Sequence, residues 1–273
     1  MYSCKLGVSV VHGEKTTKVR VYVCVIVACK VVGLVKMLGW MVPPPKKPEK
    51  TREELLRERR EKVRWLVEQG FLRSQRILKA MMKVPREEFV PEPYRDYAYL
   101  EVPLPLPGSD ATISCPHSYP LFYEALELGE NDRFLEVGAG SGYGVVLARE
   151  IVGEGGRVIT IEIDEETYKF AKRNLERTGY LDILLLLGDG SLGYSPGAPY
   201  DKICITAACP KIPNPLIRQL KPGGKLIAPI GRPELVQDLV LLEKGRDGSL
   251  KTSFVEEVLY VPLRGRYGWS KRP

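Results

Sequence analysis

The fold is decided by residues 134–148, which read Phe-Leu-Glu-Val-Gly-Ala-Gly-Ser-Gly-Tyr-Gly-Val-Val-Leu-Ala. A short apolar run leads into three glycines at alternate positions, and apolar residues with helical spacing follow. This order predicts a strand, a tight turn and the start of a helix, which together form the first unit of a nucleotide-binding α/β fold. Glycine suits such a turn because a backbone without Cβ atoms can turn sharply and approach a ligand closely.

The spacing of the glycines narrows the choice of ligand. A dinucleotide fingerprint that begins at Gly138 and Gly140 needs its third glycine at position 143, but that residue is Tyr143 and the glycine is Gly142. Glu136 also places a carboxylate at the mouth of the loop, where it would repel a diphosphate. A ligand with cationic groups fits this polarity better, and S-adenosylmethionine carries both a sulfonium and an ammonium. A purely structural turn is the alternative at this point.

Two further acids follow strand-like runs of apolar residues. Glu162 ends the run 158–162, 20 residues after Gly142, and Asp189 comes shortly after the run 183–187. Because ligands of open α/β sheets bind at the carboxyl ends of the strands, three acids at three successive strand ends predict one common site. Glu162 could accept hydrogen bonds from ribose hydroxyls, and Asp189 could accept one from an adenine amino group. Each acid taken alone is more often a solvated loop residue.

The net charge of +7 does not predict nucleic-acid binding, because of where the charge lies. Residues 1–50 hold nine basic and two acidic side chains, which leaves 32 of each sign in the rest of the chain. The body of the protein is therefore neutral and lacks the basic surface that phosphate binding requires.

Cysteine and histidine usage does not suggest a metal centre. The six cysteines show no paired CxxC spacing, and the two histidines are His12 and His117. We therefore expect no metal and the reduced thiols of a cytoplasmic protein. Asparagine and glutamine are scarce while Glu, Lys and Arg are abundant, which is typical of heat-adapted organisms. Intracellular disulfides occur in such organisms and are the alternative for the thiols.

The first 50 residues differ from the rest of the chain. Residues 19–42 are rich in valine, but Arg20, Lys30 and Lys36 divide them into pieces shorter than the roughly 20 residues of a membrane span. A small-residue cleavage site of the signal-peptide kind is also missing. The segment is either a strand pair packed on the body or, as we favour, an upstream stretch that is not translated, with the start at Met37 or Met41. We expect residues 1–50 to be an extension with a stiff Pro/Lys linker, and residues 51–273 to form the catalytic domain.

Two helices and an extended passage are predicted next. Thr51 and Glu54 form a capping box that begins the first helix, which ends at Gly70. The charged run 57–62 is expected on its solvated face, and the inward residues are Leu55, Leu56, Val63, Leu66 and Val67. A second helix is predicted over residues 74–83, and the proline-rich residues 103–108 are expected to be extended.

Two motifs and the glycine loop resemble the protein-L-isoaspartate O-methyltransferase family. The motifs are Val-Pro-Arg-Glu-Glu-Phe-Val-Pro at residues 84–91 and Ala-Thr-Ile-Ser-Cys-Pro-His at residues 111–117. Similar segments continue in order at residues 188–194, 198–201, 206–208, 212–213, 219–224, 229–231 and 260–263, so the resemblance spans roughly residues 55–270. It implies a Rossmann-like S-adenosylmethionine-dependent methyltransferase fold, with a doubly wound, mostly parallel sheet and N-terminal helices.

The resemblance also implies an activity. Such enzymes transfer a methyl group from S-adenosylmethionine to the free carboxylate of L-isoaspartyl residues in damaged proteins, which initiates their repair. A carboxylate is already nucleophilic near neutral pH, so the site needs alignment and removal of water rather than a general base. The implied partners are isoaspartyl peptides and proteins, and we expect a monomer in the cytoplasm without nucleic-acid or membrane partners.

Three alternatives for the function were weighed against this one. A methyltransferase for a different acceptor would have no reason for the residues Thr112, Ile113 and Ser114. A non-catalytic nucleotide- or nucleic-acid-binding module predicts a basic surface, which the neutral body lacks. A nicotinamide oxidoreductase is disfavoured by the glycine spacing and by the lack of an evident second catalytic domain.

The matching positions give the residues their implied roles. Ser114 would orient the substrate carboxylate or shape the methyl-transfer pocket, and its alternative role is a helix N-cap before Pro116. His117 is a weak catalytic candidate, and a surface or helix-start position is the favoured interpretation of this residue. The groove for the substrate peptide would be flanked by Thr206, Ala207 and Ala208. The implied cofactor-binding residues are Thr112, Ile113, Glu136, Gly138, Gly140, Ser141, Gly142, Glu162, Asp189 and Gly190.

The chain departs from the family pattern near the expected peptide groove. Residues 107–110 lengthen the approach to Thr112 by about one residue, and the sequence Ser-Tyr-Pro at 118–120 replaces smaller residues. Cys115 and Cys209 stand where alanine or glutamine is more common. These differences bear on the substrate and leave the expected cofactor residues unchanged.

Overall fold

A seven-stranded sheet forms the centre of the protein in a computed structural model, which describes residues 35–37, 40–108 and 111–269. The strands in chain order are β1 (Val35–Met37), β2 (Trp40–Val42), β3 (Leu104–Pro105), β4 (Thr112–Ile113), β5 (Arg133–Val137), β6 (Arg157–Glu162), β7 (Leu184–Leu187), β8 (Tyr200–Ile205), β9 (Leu220–Ile230), β10 (Gln237–Lys244) and β11 (Leu250–Val258). The order across the large sheet is β11-β10-β9-β8-β5-β6-β7. Strands β5 to β9 pair in parallel, while β10 and β11 are antiparallel to their neighbours.

The order of the strands reverses at β5, and this reversal positions the site. The chain proceeds from β5 to β6 and β7 on one side, then crosses to β8 and β9 on the other. Ligands of open α/β sheets bind in the crevice that such a reversal leaves at the carboxyl ends of the strands. Phe134 of β5 packs into the core on one face of the sheet, whereas Leu135 and Val137 pack into the core on the other. Glu136, which shares the face of Phe134, is therefore carried into the interior.

Helices cover both faces of the sheet. They are α1 (Arg52–Glu68), α2 (Gln75–Lys83), α3 (Ser118–Leu126), α4 (Tyr143–Val152), α5 (Glu165–Thr178) and α6 (Asn214–Gln219). Helices α1 to α5 contribute to the core on one face and α6 to the core on the other. The predicted doubly wound, mostly parallel α/β fold with N-terminal helices is thus confirmed. Within the described residues, no helix has the length and apolar character needed to cross a bilayer.

The predicted start of α1 is confirmed in detail. The Thr51 hydroxyl accepts a hydrogen bond from the Glu54 backbone N–H at 3.2 Å, and the Glu54 carboxylate accepts one from the Thr51 N–H at 2.8 Å. The helix ends at Glu68, two residues before Gly70, whose φ is +80°. Leu55, Val63 and Leu66 are buried as predicted, whereas Leu56 is only half-buried and Val67 is 44% exposed, because both lie beside the buried stripe.

The charged run of α1 was predicted to be solvated, and this was wrong at Arg59. Its side chain is 8% exposed and donates to the Glu87 carboxylate at 2.8 Å and to the Tyr99 hydroxyl at 2.8 Å. Tyr99 in turn donates to the other oxygen of Glu87. Burial raises the pKa of Tyr99, so the phenol keeps its proton and serves as a donor. This paired network joins α1 to the segment after α2.

Only the end of the N-terminal extension falls within the described residues. Strands β1 and β2 form a short antiparallel pair, and Val42 is buried. The linker 43–48 follows the body closely, because the Lys46 backbone N–H donates to the carbonyl of Pro93 and its ammonium pairs with Asp96 at 3.0 Å. Residues 1–34 lie outside the described part, so the choice between the two interpretations of this segment stays a prediction.

Candidate active site

A cleft opens at the carboxyl ends of β5, β6 and β8. Its floor consists of residues 136–141 at the end of β5, residues 161–163 at the end of β6 and residues 206–207 after β8. Two further segments form its walls, residues 111–114 and residues 261–264. Small-molecule ligands of open α/β sheets bind at this edge of the sheet.

The glycine loop lies along the floor of the cleft in a conformation that requires glycine. Gly138 has a φ of +97° and Gly140 a φ of +55°. A Cβ atom on Gly138 would lie 2.4 Å from the hydroxyl oxygen of Thr206. That hydroxyl is 2.8 Å from the Gly138 carbonyl oxygen, to which it donates a hydrogen bond. Thr206, predicted to flank the substrate, therefore also fixes the loop.

The next two loop residues differ in position. Ser141 lines the cleft, and its hydroxyl oxygen accepts a hydrogen bond from the Tyr143 N–H at 3.3 Å. Gly142 is not among the lining residues; it is the N-cap of α4, with a φ of +85°. Its off-register position is thus explained by the turn into the helix, and its cofactor contact stays a prediction.

Glu162 joins the glycine loop to the end of β6. One carboxylate oxygen accepts from the Gly140 N–H at 3.0 Å, and the other accepts from the N–H groups of Ile163 at 2.9 Å and Asp164 at 3.0 Å. Burial raises the pKa of Glu162, while these three backbone donors oppose that change by favouring the ionised form. The carboxylate is held at the floor of the cleft in a fixed orientation.

Glu136 is the most deeply buried acid of the cleft. Its side chain is 2% exposed, and one oxygen accepts a hydrogen bond from the Thr160 hydroxyl at 3.3 Å. Burial, with the neighbouring charge of Glu162, raises the pKa of Glu136 to about 8. Gly144 allows the close fit, because a Cβ atom there would lie 2.6 Å from a Glu136 oxygen. A buried carboxylate with one long hydrogen bond at a cleft wall favours a cationic ligand group.

Ser114 lies on the wall opposite the glycine loop. Strand β4 pairs with β3 and brings Thr112, Ile113 and Ser114 to the cleft. The Ser114 carbonyl accepts from the Arg86 guanidinium at 2.7 Å, and Ser114 lines a small cavity together with Tyr260. The alternative role of a helix N-cap is wrong, because α3 begins at Ser118 and its N-cap is His117.

His117 lies outside the lining of the cleft. Its Nδ1 is 2.6 Å from a carboxylate oxygen of Glu101, and its ring packs against Phe71. The interpretation as a helix-start residue is therefore favoured over a catalytic one.

The carboxylate of Asp189 is used inside the protein. One oxygen accepts from the backbone and hydroxyl of Ser191 at 2.9 and 2.6 Å, and the other accepts from the Arg266 N–H at 2.7 Å. Gly265 allows this approach, since a Cβ atom there would lie 2.0 Å from Asp189. Gly190 lines the cleft and Asp189 does not, so the adenine contact of Asp189 stays a prediction.

Two of the three residues predicted to flank the substrate line the cleft, and their role stays a prediction. Thr206 and Ala207 line the cleft, but Ala208 is fully buried and its carbonyl accepts hydrogen bonds from Leu263 and from the Trp269 indole. The peptide backbone of the C-terminal segment thus occupies the side where Ala208 was expected to meet substrate.

Sequence reasoning missed two parts of the cleft. Tyr119 lines it next to Ser114. Residues 261–264 form the far wall, and there the Arg264 guanidinium is 3.3 Å from the carboxylate of Asp164. The motif at residues 260–263 was part of the family resemblance, yet no local pattern connected it with the glycine loop.

Comparison with known proteins decides the family. The sequence profile described as protein-L-isoaspartate(D-aspartate) O-methyltransferase (PCMT) matches residues 57–268. The chain belongs to the protein-L-isoaspartate O-methyltransferase family. Protein-L-isoaspartate O-methyltransferase of Hyperthermus butylicus is 47% identical over 226 residues, which cover 80% of this chain and 93% of that protein. The enzyme of Methanococcus aeolicus is 45% identical over 207 residues, 76% of this chain and 94% of the relative.

Solved structures of the family share the fold. One protein-L-isoaspartate O-methyltransferase superposes with a TM-score of 0.71 at 32% identity and covers 77% of this chain and 67% of its own. A putative family member from Plasmodium falciparum, in complex with S-adenosyl-L-homocysteine, superposes with a TM-score of 0.66 at 22% identity, covering 79% of this chain and 99% of its own. The second similarity speaks for the fold alone.

The chain is therefore an S-adenosylmethionine-dependent protein-L-isoaspartate O-methyltransferase that acts in protein repair. The cleft at the strand ends agrees with this activity, since it joins a glycine loop and fixed acids with the serine segment typical of the family.

Proposed function

We propose that the cleft binds S-adenosylmethionine through the residues that line its floor. The methionyl part would lie against Glu136, Gly138 and Gly140, the ribose would meet Glu162, and the adenine would lie beside Gly190. The observation that carries this proposal is Glu136, a buried carboxylate with a 3.3 Å hydrogen bond that faces the cleft. Burial disfavours the negative charge of Glu136, and the ammonium group of the cofactor would stabilise that charge. When bound, S-adenosylmethionine supplies a methyl group on a positively charged sulfur.

The wall opposite the glycine loop would serve the acceptor. Ser114 can donate a hydrogen bond to an isoaspartyl carboxylate. Its position is fixed through its carbonyl, which accepts a hydrogen bond from Arg86, a residue that is 1% exposed. Ile113 and Tyr119 bring apolar surface to the same wall, which excludes water from the reacting carboxylate. No histidine lines the described part of the cleft, in keeping with a reaction that needs no general base.

The peptide would lie between the residues after β8 and the C-terminal segment. Thr206 and Ala207 form one side of this groove and residues 261–264 form the other. The small side chain of Ala207 leaves space for an extended backbone. Arg264, whose guanidinium also pairs with Asp164, would offer further hydrogen-bond donors to a free carboxylate of the substrate.

We further infer that the enzyme works as a monomer in the cytoplasm. Light scattering on the eluting peak of a size-exclusion column tests this, and a mass that is a multiple of 30.7 kDa would contradict it.

Two substitutions with opposite expected effects test which residues serve the acceptor and which serve the cofactor. Ser114→Ala should lower kcat by about tenfold to a hundredfold, because alignment of the acceptor is lost, and leave the Kd of S-adenosylhomocysteine unchanged. Glu162→Ala should raise that Kd by about tenfold to a hundredfold, since hydrogen bonds to a charged group are lost.

Ser195→Ala, on an exposed turn far from the cleft, is the matched control and should behave like the wild type. Calorimetric titration gives the Kd values, and methylation of an isoaspartyl peptide gives kcat. If Ser114→Ala abolishes cofactor binding, or Glu162→Ala leaves it intact, the proposed roles of Ser114 and Glu162 are wrong.

A further inference from the structure

Three donor groups of different chemistry meet behind the serine segment, outside the lining of the cleft. They belong to Glu101, Cys115 and His117, and a carboxylate oxygen, the sulfur and a ring nitrogen all lie within 4.8 Å of one another. The grouping arises from the fold. Glu101 lies in the segment before β3, while Cys115 and His117 stand two residues apart before α3. Because these residues come together only in the fold and form no CxxC motif, the sequence alone predicted no metal centre.

We propose that Glu101, Cys115 and His117 form a binding site for a thiophilic divalent cation of the Zn²⁺ type. Thiolate, imidazole and carboxylate are the three ligand classes that zinc uses, and sites with three protein ligands keep a fourth position for water. Tetrahedral bonds of the usual lengths place ligand atoms about 3.3–3.8 Å apart. The Glu101 oxygen and His117 Nδ1, now 2.6 Å apart, would separate by about 0.7 Å, and atoms at the 4.8 Å limit would close by about 1–1.5 Å. This is within reach of side-chain rotation.

Contacts around the three side chains already orient Glu101. One of its oxygens is 2.6 Å from His117 Nδ1, and the other is 2.9 Å from the ammonium of Lys62. The same carboxylate accepts from the His117 backbone N–H at 3.1 Å. A cation would replace the proton shared between the carboxylate and the imidazole, while Lys62 continues to hold the second oxygen. Ligating carboxylates in metal sites are commonly held in this way. The neutral imidazole carries its proton on Nε2 when Nδ1 binds the metal, so binding releases the proton of the Cys115 thiol.

The site is accessible, in contrast to the other described thiols. The His117 side chain is 28% exposed and that of Glu101 is 9% exposed, so a cation would approach from the His117 side. Cys204 and Cys209 are buried, and burial raises the pKa of the Cys209 thiol to about 12. Neither belongs to a described group of potential metal ligands. Of the thiols described by the structure, Cys115 is thus the one placed to bind a metal.

A cation at this position would act on the active-site wall. Cys115 directly follows Ser114. Metal bonds to Cys115 and Glu101 would therefore link the serine segment to the segment that precedes β3 in the chain. Because the bound cation is held by the folded state, it raises the stability of the protein by mass action. The inference does not depend on the proposed role of Ser114, since it concerns metal binding alone.

Cobalt spectroscopy on the full-length protein tests the site. Metal is first removed with a chelator, and Co²⁺ is then titrated while the thiolate-to-cobalt charge-transfer absorption is recorded. We expect a band that saturates at one equivalent and that Zn²⁺ displaces. Cys115→Ala should abolish the band and weaken Zn²⁺ binding by more than about tenfold. The substitution is small and partly exposed, and near-ultraviolet circular dichroism checks that the fold is retained.

The other cysteines supply the matched control. A variant with Cys4, Cys24 and Cys29 all replaced by alanine should keep the band and the Zn²⁺ affinity. His117→Ala should change the cobalt spectrum as Cys115→Ala does. The proposal is overturned if the wild type shows no saturable thiolate band. It is also overturned if the band survives in Cys115→Ala or disappears in the triple variant.

Discussion

Replacing Glu136 by glutamine is expected to stabilise the cofactor-free enzyme at alkaline pH and to weaken its affinity for the cofactor. Burial raises the pKa of Glu136 from 4.5 to about 8 in the folded state. The folded protein therefore keeps the proton between these values, while the unfolded chain loses it near pH 4.5. The stability that comes from this proton is fully present below pH 4.5 and is lost as the pH rises through 8.

The magnitude follows from the difference between the two pKa values. At about 1.4 kcal/mol for each pH unit, ionisation of Glu136 costs the folded state up to about 5 kcal/mol above pH 8. A glutamine carries no charge at any pH and escapes this cost. Between pH 5 and pH 9, the free energy of unfolding should fall by several kcal/mol more in the wild type than in Glu136→Gln.

Cofactor binding should show the opposite dependence on pH. If the ammonium of the ligand pairs with ionised Glu136, the apparent affinity follows the ionised fraction, which is about 1% at pH 6 and about half at pH 8. The affinity of the wild type for S-adenosylhomocysteine should then rise by up to about fiftyfold over this range, and that of Glu136→Gln should stay low and nearly constant.

Denaturant unfolding at pH 5, 7 and 9 measures the first effect, and calorimetric titration at pH 6 and 8 measures the second. Glu176→Gln, on the exposed face of α5, is the matched control and should follow the wild type in both. Parallel pH profiles of stability for the wild type and Glu136→Gln would refute the reasoning. An affinity that is equally independent of pH in both proteins would refute the proposed ammonium contact.

Three other substitutions have defined expectations. Gly138→Ala should abolish measurable cofactor binding in calorimetry, because its Cβ atom would lie 2.4 Å from the Thr206 hydroxyl at a φ of +97°; normal binding would contradict the loop geometry. Arg86→Lys should lower the free energy of unfolding by about 2–3 kcal/mol and lower kcat, since one ammonium cannot replace the guanidinium bonds to Ala98 and Ser114. Unchanged denaturation and turnover would show that these bonds are dispensable. Thr51→Ala should cost about 1 kcal/mol in the same unfolding assay, through loss of the cap, and leave activity intact.

The parts of the site that follow local rules could be predicted from the sequence. The loop after β5 was recognised because its glycines, the preceding apolar strand and the following helix are adjacent in the chain. Glu162 was found for a similar reason, since an acid at the end of an apolar run marks the end of a parallel strand. Glu162 and the loop residues 138–141 line the cleft as expected.

The remaining features depend on contacts between distant segments. Asp189 stands at a strand end as expected, but the backbone of Arg266 occupies its carboxylate. Arg59 belongs to a charged run that is typical of a solvated helix face, yet Glu87 and Tyr99 surround it. Nothing near residues 261–264 indicates that they close the far wall of the cleft. Such pairings are set by the tertiary fold, and a single sequence carries no local signal for them.

Methylation of two peptides that differ in one linkage tests the activity most directly. Purified full-length protein is incubated with S-adenosylmethionine carrying a labelled methyl group. One peptide contains an L-isoaspartyl residue, and its counterpart contains the normal aspartyl residue at the same position. We predict that label is transferred to the isoaspartyl peptide and not to the aspartyl one. Equal labelling of both peptides, or of neither, would contradict the isoaspartyl methyltransferase activity.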